Sequence, residues 1–242
     1  MVFFQVSSRQ KILLAFLLGL LSPALSYAQL VFASSVDQGP SSVMAQRILI
    51  QAYKQLGVTL RFEALPNLRI VSMAEAGAVD GVDFRVTDTR LGDMKKIEMP
   101  VAYEELVVFS VNQYFTVSGY QSLQPYSIGY LTGARVFAGR LKGMRVDTAP
   151  SLESLFNKLQ AGRTDIVVES RSSYCKARQL GLSRIRMLEP SLEKIVGYHW
   201  LSKRHGALIP RLDAVLKKMQ QDDTIRKIQD ETWKEFNAQC GA

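Results

Sequence analysis

The sequence predicts an α/β protein made of two similar lobes, and three observations predict it. Short apolar runs alternate with amphipathic stretches through residues 30–202, the pattern of βαβ units. A local motif occurs twice: a helical stretch ends in Ala-Gly (Ala76-Gly77, Ala161-Gly162), an aspartate opens a strand (Asp80, Asp165), and charge stands at that strand's far end (Arg85, Glu169). The apolar fraction, 47%, is that of a chain with an ordinary core.

Leu30–Ser34 reads as the first strand. Pro40-Ser41-Ser42 opens a helix with a serine available as N-cap, and Met44, Ile48, Ala52 and Leu56 recur at a spacing of four on one face. Gly57 stops it. Val58–Glu63 is a strand, Leu68–Glu75 a short helix closed by Gly77, Gly81–Val86 a third strand and Leu106–Val111 a strongly apolar one. A second series starts near Pro125: a strand over Ser127–Leu131, a helix over Arg135–Leu141, and a short strand over Met144–Val146. A helix capped by Ser151 follows, with Leu152, Leu155, Phe156 and Leu159 on its apolar face, and Gly162 ends it. Asp165–Val168 is a buried strand leading into Glu169, Ser172–Leu180 a helix ended by Gly181, and Ile185–Leu188 a strand. Val196–Ser202 is strand-like, and two amphipathic helices, Ile209–Gln220 and Thr224–Phe236, close the chain.

Residues 1–28 have the anatomy of a secretory signal peptide: Arg9 and Lys11 ahead of an apolar Ile12–Leu21, then small-x-small at Ser26-Tyr27-Ala28. The expectation is export to the periplasm with cleavage near Ala28; an uncleaved N-terminal anchor is the alternative. The net charge of +8 falls to +6 once this segment is set aside. Its basic residues are scattered pairs such as Lys95-Lys96, Lys203-Arg204 and Lys217-Lys218, not a run interleaved with aromatics, so nucleic-acid binding is disfavoured. Two cysteines, Cys175 and Cys240, favour a disulfide in an exported chain. The bridge would contribute roughly 4 kcal/mol in the chain-entropy model; two free buried thiols are the other reading.

The stretch Ala74–Gly92 carries most of the functional information. It delivers Arg85 and Arg90 to the C-terminal end of a strand, where open α/β sheets bind ligands. Forked guanidinium donors there suit a carboxylate or another planar anion. Arg90 is either such a ligand or a surface arginine paired with Asp88 or Asp93. Arg85 faces either a cleft or an acid such as Asp83, because an unpaired arginine within a strand is expensive to bury. Glu169 is either a ligand-binding acid or a carboxylate that favours a helix N-terminus. Asp37 follows the first strand and is a cleft candidate. Tyr103, Phe84 and Tyr130 either line the cleft or belong to the core, and Asp80 reads as a structural residue holding a turn. His199 and His205 lack partners at metal-ligand spacing, and neither a nucleophile elbow nor a phosphate-binding loop is present. No catalytic residue, metal or cofactor is therefore expected.

The order of four local patterns resembles the type II periplasmic solute-binding proteins, in particular the amino-acid-binding group of ABC transporters. The patterns are Ala76–Val82 followed by Thr87-Asp88-Thr89-Arg90; Pro100 with Leu106-Val107-Val108; Ile128–Gly133; and Ser151-Leu152 through Leu159–Val168. The resemblance covers about residues 30–238. It implies mixed sheets flanked by helices in two lobes joined by two crossovers, lobe 1 being 29–110 and 196–242 and lobe 2 being 111–195. Arg90 would pair with a ligand carboxylate, the backbone at Thr132 and Gly133 would complete that anion site, and Glu169 would receive an ammonium.

The tail, Thr232-Trp233-Lys234 through Gln239-Cys240-Gly241, is similar to that of ionotropic glutamate receptor ligand-binding domains, which implies a Cys175–Cys240 bridge. Two departures stand out. The pattern's usual acid aligns nearer Ser170, and Arg85 occupies a position where many members carry a small polar residue. The expected protein is a monomer that captures a small carboxylate-bearing solute, an amino acid or a derivative, for delivery to a membrane permease. A lyase or dehydratase on the same scaffold and a ligand-sensing module are the alternatives.

Overall fold

A computed structural model of the chain describes residues 29–36, 38–86, 91–132 and 134–240. The chain begins with β1 (Gln29–Ser35), α1 (Pro40–Gln55), β2 (Thr59–Leu65), α2 (Asn67–Glu75) and β3 (Gly81–Arg85). A 17-residue strand, β4 (Met94–Ser110), leads into β5 (Ile128–Leu131), α3 (Arg135–Arg140), β6 (Val146–Ala149), α4 (Leu152–Gln160), β7 (Ile166–Ser170) and α5 (Tyr174–Gln179). A second 17-residue strand, β8 (Arg186–Ser202), runs back, and α6 (Ile209–Gln221) and α7 (Thr224–Gln239) follow.

The strands lie in the order β2-β1-β3-β8-β4-β7-β5-β6. β1 runs parallel to β2 and β3, β5 runs parallel to β6 and β7, and the three pairings between these groups (β3–β8, β8–β4 and β4–β7) are antiparallel. The register places the two parallel groups at opposite ends of the long pair. β3 joins β8 at Tyr198–Leu201, where β8 faces the start of β4, whereas β7 joins β4 at Leu106–Ser110, where β4 faces the start of β8.

Each half buries both faces of its sheet. In the β1–β3 half, Met44, Ile48, Leu49 and Ala52 of α1 pack with Phe32, Val101, Ala102 and Leu201, and α6 and α7 add Leu212, Leu216 and Ile225. On the other face Ile70, Ala74, Val82, Leu91 and Trp200 form a second core. In the β5–β7 half, Leu106, Val108, Ile128, Phe137, Leu188 and Ile195 share one core. Val107, Phe109, Leu155, Phe156, Val167 and Ala177 share another. Successive β4 residues therefore feed opposite cores, as strand pleating requires.

Several predicted elements shift. β4 begins far ahead of Leu106, and the predicted strands Ile185–Leu188 and Val196–Ser202 are parts of one strand. Charged residues (Lys95, Lys96, Glu98, Glu104, Glu105) and prolines (Pro100, Pro190) interrupt the apolar pattern that reveals strands, and the register shifts on both sides of Pro100 absorb that residue without a ladder donor. The strand predicted over Met144–Val146 starts at Val146, because the Met144 amide donates to the Leu141 carbonyl in a turn (3.1 Å). The helix predicted from Ser172 begins as a 3₁₀ turn over Arg171–Ser173 and becomes α-helical at Tyr174. The N-cap of α1 is Gly39, not a serine. Pro40 sits in the first turn, and the Ser41 hydroxyl donates to the Tyr103 carbonyl at 2.8 Å. Ser151 caps α4 as predicted, accepting from the Ser154 amide at 3.2 Å.

The duplicated aspartates do the same work in each half. Asp80 accepts from the Val31 amide of β1 at 2.8 Å, and Asp165 accepts from the Ser127 amide ahead of β5 at 2.7 Å and from the Ser127 hydroxyl at 2.8 Å. Each carboxylate ties the entry of one parallel strand to its neighbour. Arg204 and His205 also bond Asp80, at 2.7 and 2.5 Å. Burial alone would raise the Asp80 pKa, but these donors outweigh it and hold the group below the usual carboxylate range. The Asp165 pKa is lowered in the same way, chiefly by the Ser127 backbone amide.

Cys175 of α5 and Cys240 after α7 form a disulfide, with Cα atoms 5.2 Å apart and 65 residues of separation. Since a closed loop of this length restricts the unfolded chain, Cys175→Ser with Cys240→Ser should lower the unfolding free energy by about 3–4 kcal/mol, read by urea denaturation. A loss under about 1 kcal/mol would show that the bridge adds little beyond the packing of α7.

Candidate functional site

The C-terminal ends of β1, β3 and β7 carry the polar cluster of the molecule. At the end of β1, Ser34 is buried and its hydroxyl donates to Asp83 Oδ2 at 2.5 Å. Gln46 of α1 donates to Ser34 Oγ at 2.8 Å and Gln38 does so at 3.1 Å, while the two amides bond each other at 3.1 Å. Asp83 Oδ1 accepts from the Phe84 amide at 2.7 Å. Asp83 is only 2% exposed. Burial lifts its pKa to about 6, although the hydrogen bonds and the nearby charge of Arg85 oppose the shift.

On the other half, Glu169 stands next to last in β7. Its Oε1 accepts from the Ser170 amide at 2.8 Å, whereas its Oε2 is sealed from solvent and bonds no atom among the described residues. Burial raises its pKa to about 7, and the Glu104 carboxyl adds to the rise. Glu104 itself is raised by burial, with Ser41 opposing. The two halves meet here. Ser41 sits in the first turn of α1 beside Glu104, and a Cβ on the neighbouring Gly39 would lie 3.8 Å from Ser172 Oγ, itself 3.0 Å from Ser170 Oγ. The start of α1 thus reaches the turn after β7.

The predicted residues distribute as follows. Arg85 ends β3 half-buried, in register with Tyr198 of β8, and its charge acts on Asp83. Glu169 belongs to the cluster. Thr132 is exposed after β5, and its amide donates to the Ala149 carbonyl at 2.8 Å, so that donor serves β6. Tyr103 lies on the other side of β4 from Glu104. Its ring packs 6.3 Å from Trp233 of α7, and the Lys194 ammonium sits 3.9 Å from its centroid. Arg90, Asp37 and Gly133 lie outside the described residues.

Sequence reasoning missed Ser34, Gln38, Gln46, Glu104 and Ser172. Glu104 had a signal: two adjacent acids lead directly into the apolar run Leu106–Val111. The glutamines had none, because they sit on a loop and a helix, and the fold brings Gln46 to Ser34 and Gln38. His199 is a core residue. Its Nδ1 lies 2.6 Å from the Val82 carbonyl and its Nε2 3.0 Å from the Tyr53 hydroxyl, and burial depresses its pKa to about 4, so the ring stays neutral and fastens β8 to β3 and α1. Among the described residues no group of three or more His, Cys, Asp and Glu side chains is placed to hold a metal ion.

Two α/β halves joined by a long antiparallel strand pair, with polar groups gathered at their facing strand ends, define the type II periplasmic binding protein fold. Solved structures bear this out. An ancestral arginine-binding protein bound to glutamine matches 84% of this chain and 97% of its own at a TM-score of 0.65 and 16% identity. The substrate-binding protein of an amino acid ABC transporter matches 86% and 100% (TM-score 0.63, 19% identity). A histidine kinase sensor domain with similarity to periplasmic binding proteins matches 85% and 96% (TM-score 0.64, 13% identity). In sequence, the chain is 28% identical over 193 residues to an uncharacterized protein of Shewanella oneidensis, covering 76% of this chain and 73% of that one. No protein-family model matches.

The raised acids give stability a definite pH dependence. Glu169 and Asp83 keep their protons to about pH 7 and 6 in the folded chain but lose them near 4 when unfolded. The folded state binds more protons in that window, so their contribution falls as pH rises from about 4 to 7. Glu169→Gln should flatten the decline and gain on the order of 2 kcal/mol over wild type at pH 8, with no gain at pH 4.5, in urea melts. An equal change at both pH values would rule out a protonated Glu169 in the folded chain.

Proposed function

We propose that this protein is an exported solute-binding protein. It captures a small carboxylate-bearing solute with a cationic nitrogen, an amino acid or a derivative, between two lobes and presents it to a membrane permease. The observation that carries the reading is the Glu169 Oε2: an acceptor sealed at a strand end without a partner among the described residues, opposite a half that offers Arg85 at its own strand end. A carboxylate that must ionise in such a place needs a cation, and an ammonium or guanidinium on the ligand supplies one. Arg85 and Arg90 take the ligand's carboxylate. Binding then draws the Glu169 proton off, so affinity rises with pH through about 7.

Lobe closure follows from the strand pair. The first lobe is the β1–β3 half with α6 and α7, the second the β5–β7 half. The hinge falls within β4 between Ala102 and Leu106 and within β8 between Ile195 and Trp200, where the residues change from one set of cores to the other. A ligand touching both strand ends favours the closed form by its differential contacts. The likeness to a transporter's substrate-binding protein supports delivery to a permease; the likeness to a kinase sensor domain supports the same capture used for signalling. One observation favours a second reading: an acid that titrates near 7 in a cleft can serve as a general acid, as a lyase on this scaffold would need.

Calorimetry against a panel of amino acids and their decarboxylated and deaminated analogues tests the proposal. Binding should require both charged groups of the ligand. Arg90→Ala or Arg85→Ala should each weaken it about 30-fold or more, the loss of a charge-assisted bond worth about 2 kcal/mol. Unchanged affinity in both arginine variants would sink the assigned site, and turnover of the ligand abolished by Glu169→Gln would decide for the lyase.

A further inference from the structure

Beside β4 lies a cavity that shares Ser172 with the polar cluster but none of the acids in it. It has a volume of about 410 Å³, within the range of small-molecule sites. Aromatic and apolar side chains form its walls: Tyr103 of β4, Tyr174 of α5, Met187 of β8, and Trp233 and Phe236 of α7, with the Cys175–Cys240 bridge alongside. Because side chains alternate along β4, Tyr103 and Glu105 face this cavity while Glu104 faces the opposite side. The walls come from both halves, α7 packing with the β1–β3 half and Tyr174 with the core of the β5–β7 half.

Arg171 is the cationic group of this cavity. Its Nε donates to Glu105 Oε2 at 2.6 Å, and its two terminal nitrogens donate to Glu189 at 2.8 and 3.2 Å. The two arms differ. The Glu105 side chain is 30% exposed and itself lines the cavity, whereas the Glu189 side chain is 59% exposed and does not. Glu189 is the more exposed arm, so water can solvate its carboxylate when it leaves, and the two terminal nitrogens it occupies present the fork that suits a bidentate carboxylate.

We infer that this cavity is a second ligand site, for a small aromatic monocarboxylate. The aromatic body packs among Tyr103, Trp233 and Phe236, and the carboxylate takes the place of Glu189 on Arg171. The exchange keeps a bidentate carboxylate on the Arg171 fork while Glu189 turns to solvent, and burial of the ring on aromatic walls supplies the gain. A ligand held here touches both halves behind the hinge and so couples to their relative orientation.

The test uses phenylacetate, with phenylacetamide as its neutral counterpart. The chain has two tryptophans, Trp200 and Trp233, so the indole N–H resonances of ¹⁵N-labelled protein report the cavity and the distant core separately. Phenylacetate should shift the Trp233 resonance saturably and leave that of Trp200 in place, with phenylacetamide about tenfold weaker or more. Glu189→Gln removes the competing carboxylate and should tighten phenylacetate by about threefold or more, whereas Glu169→Gln, across β4, should leave it unchanged. The inference is overturned by any of four results: no saturable shift up to about 10 mM, a concentration at which small fragments bind real sites; equal affinity for acid and amide; no tightening in Glu189→Gln; or loss of the shift in Glu169→Gln, which would assign the probe to the cleft.

Discussion

The antiparallel pairing of β4 with β8 is the constraint on which the rest of the molecule depends. Both strands run 17 residues, and in the sheet they stand between the two parallel groups. The register sets β3 against one end of the pair and β7 against the other. Two separate sets of cores result, with residues of both strands donated to each. The pair is therefore a structural spine and a mechanical link: bending or twisting it re-aims one half relative to the other while each half's cores stay packed, since close-packed cores resist gradual deformation. Two polar residues of β4, Glu104 and Glu105, fall between Ala102 and Leu106, where one set of cores gives way to the other. That is the stretch a hinge needs to be free of tight apolar packing.

Buried acids in this fold divide by the donors they meet. Asp80 and Asp165 each collect backbone and side-chain donors and stay ionised, so they work as fixed clamps on strand entry. Asp83 and Glu169 are more deeply buried and collect fewer donors than burial demands, so they hold protons toward neutral pH. The same residue types, one strand length apart, thus do opposite work. An acid at the start of β3 or β7 fastens structure; an acid within β3 or at the end of β7 stores an unfilled demand for positive charge.

How much of this the sequence disclosed follows from what sequence patterns encode. The duplicated Ala-Gly, aspartate and strand motif was legible because it is local: a glycine at positive φ ends each helix (Gly77 at 66°, Gly162 at 71°) and an aspartate bonds the next strand over. The apolar faces of α1 and α4 were legible for the same reason. The length of β4 and β8 was not. Their outer parts pair with each other and with β3, so backbone bonding sustains them where charges and prolines break the apolar alternation. The acid cluster was half legible. Glu169 announced itself as charge at a strand end, but Glu104 and the Ser34–Gln38–Gln46 chain come together only when α1 lays its first turn against β4. Tyr103 was legible only as an aromatic of cleft or core, because one step along a strand reverses the face.

That reversal at Tyr103, Glu104 and Glu105 has a mechanical consequence. Three consecutive residues at the hinge serve two different sides: Glu104 reaches toward the start of α1 and Glu169, while Tyr103 and Glu105 reach toward α7 and Arg171. A backbone rotation here moves both environments at once and in opposite senses. On the second side the Arg171 bridge spans β4 and β8, and the Cys175–Cys240 disulfide fixes α5 to the end of α7. Covalent and ionic ties gathered on one flank leave the other flank the easier one to open. Under the proposed reading, closure would turn the two halves about this tied flank and bring Arg85, at the end of β3, toward Glu169, near the end of β7.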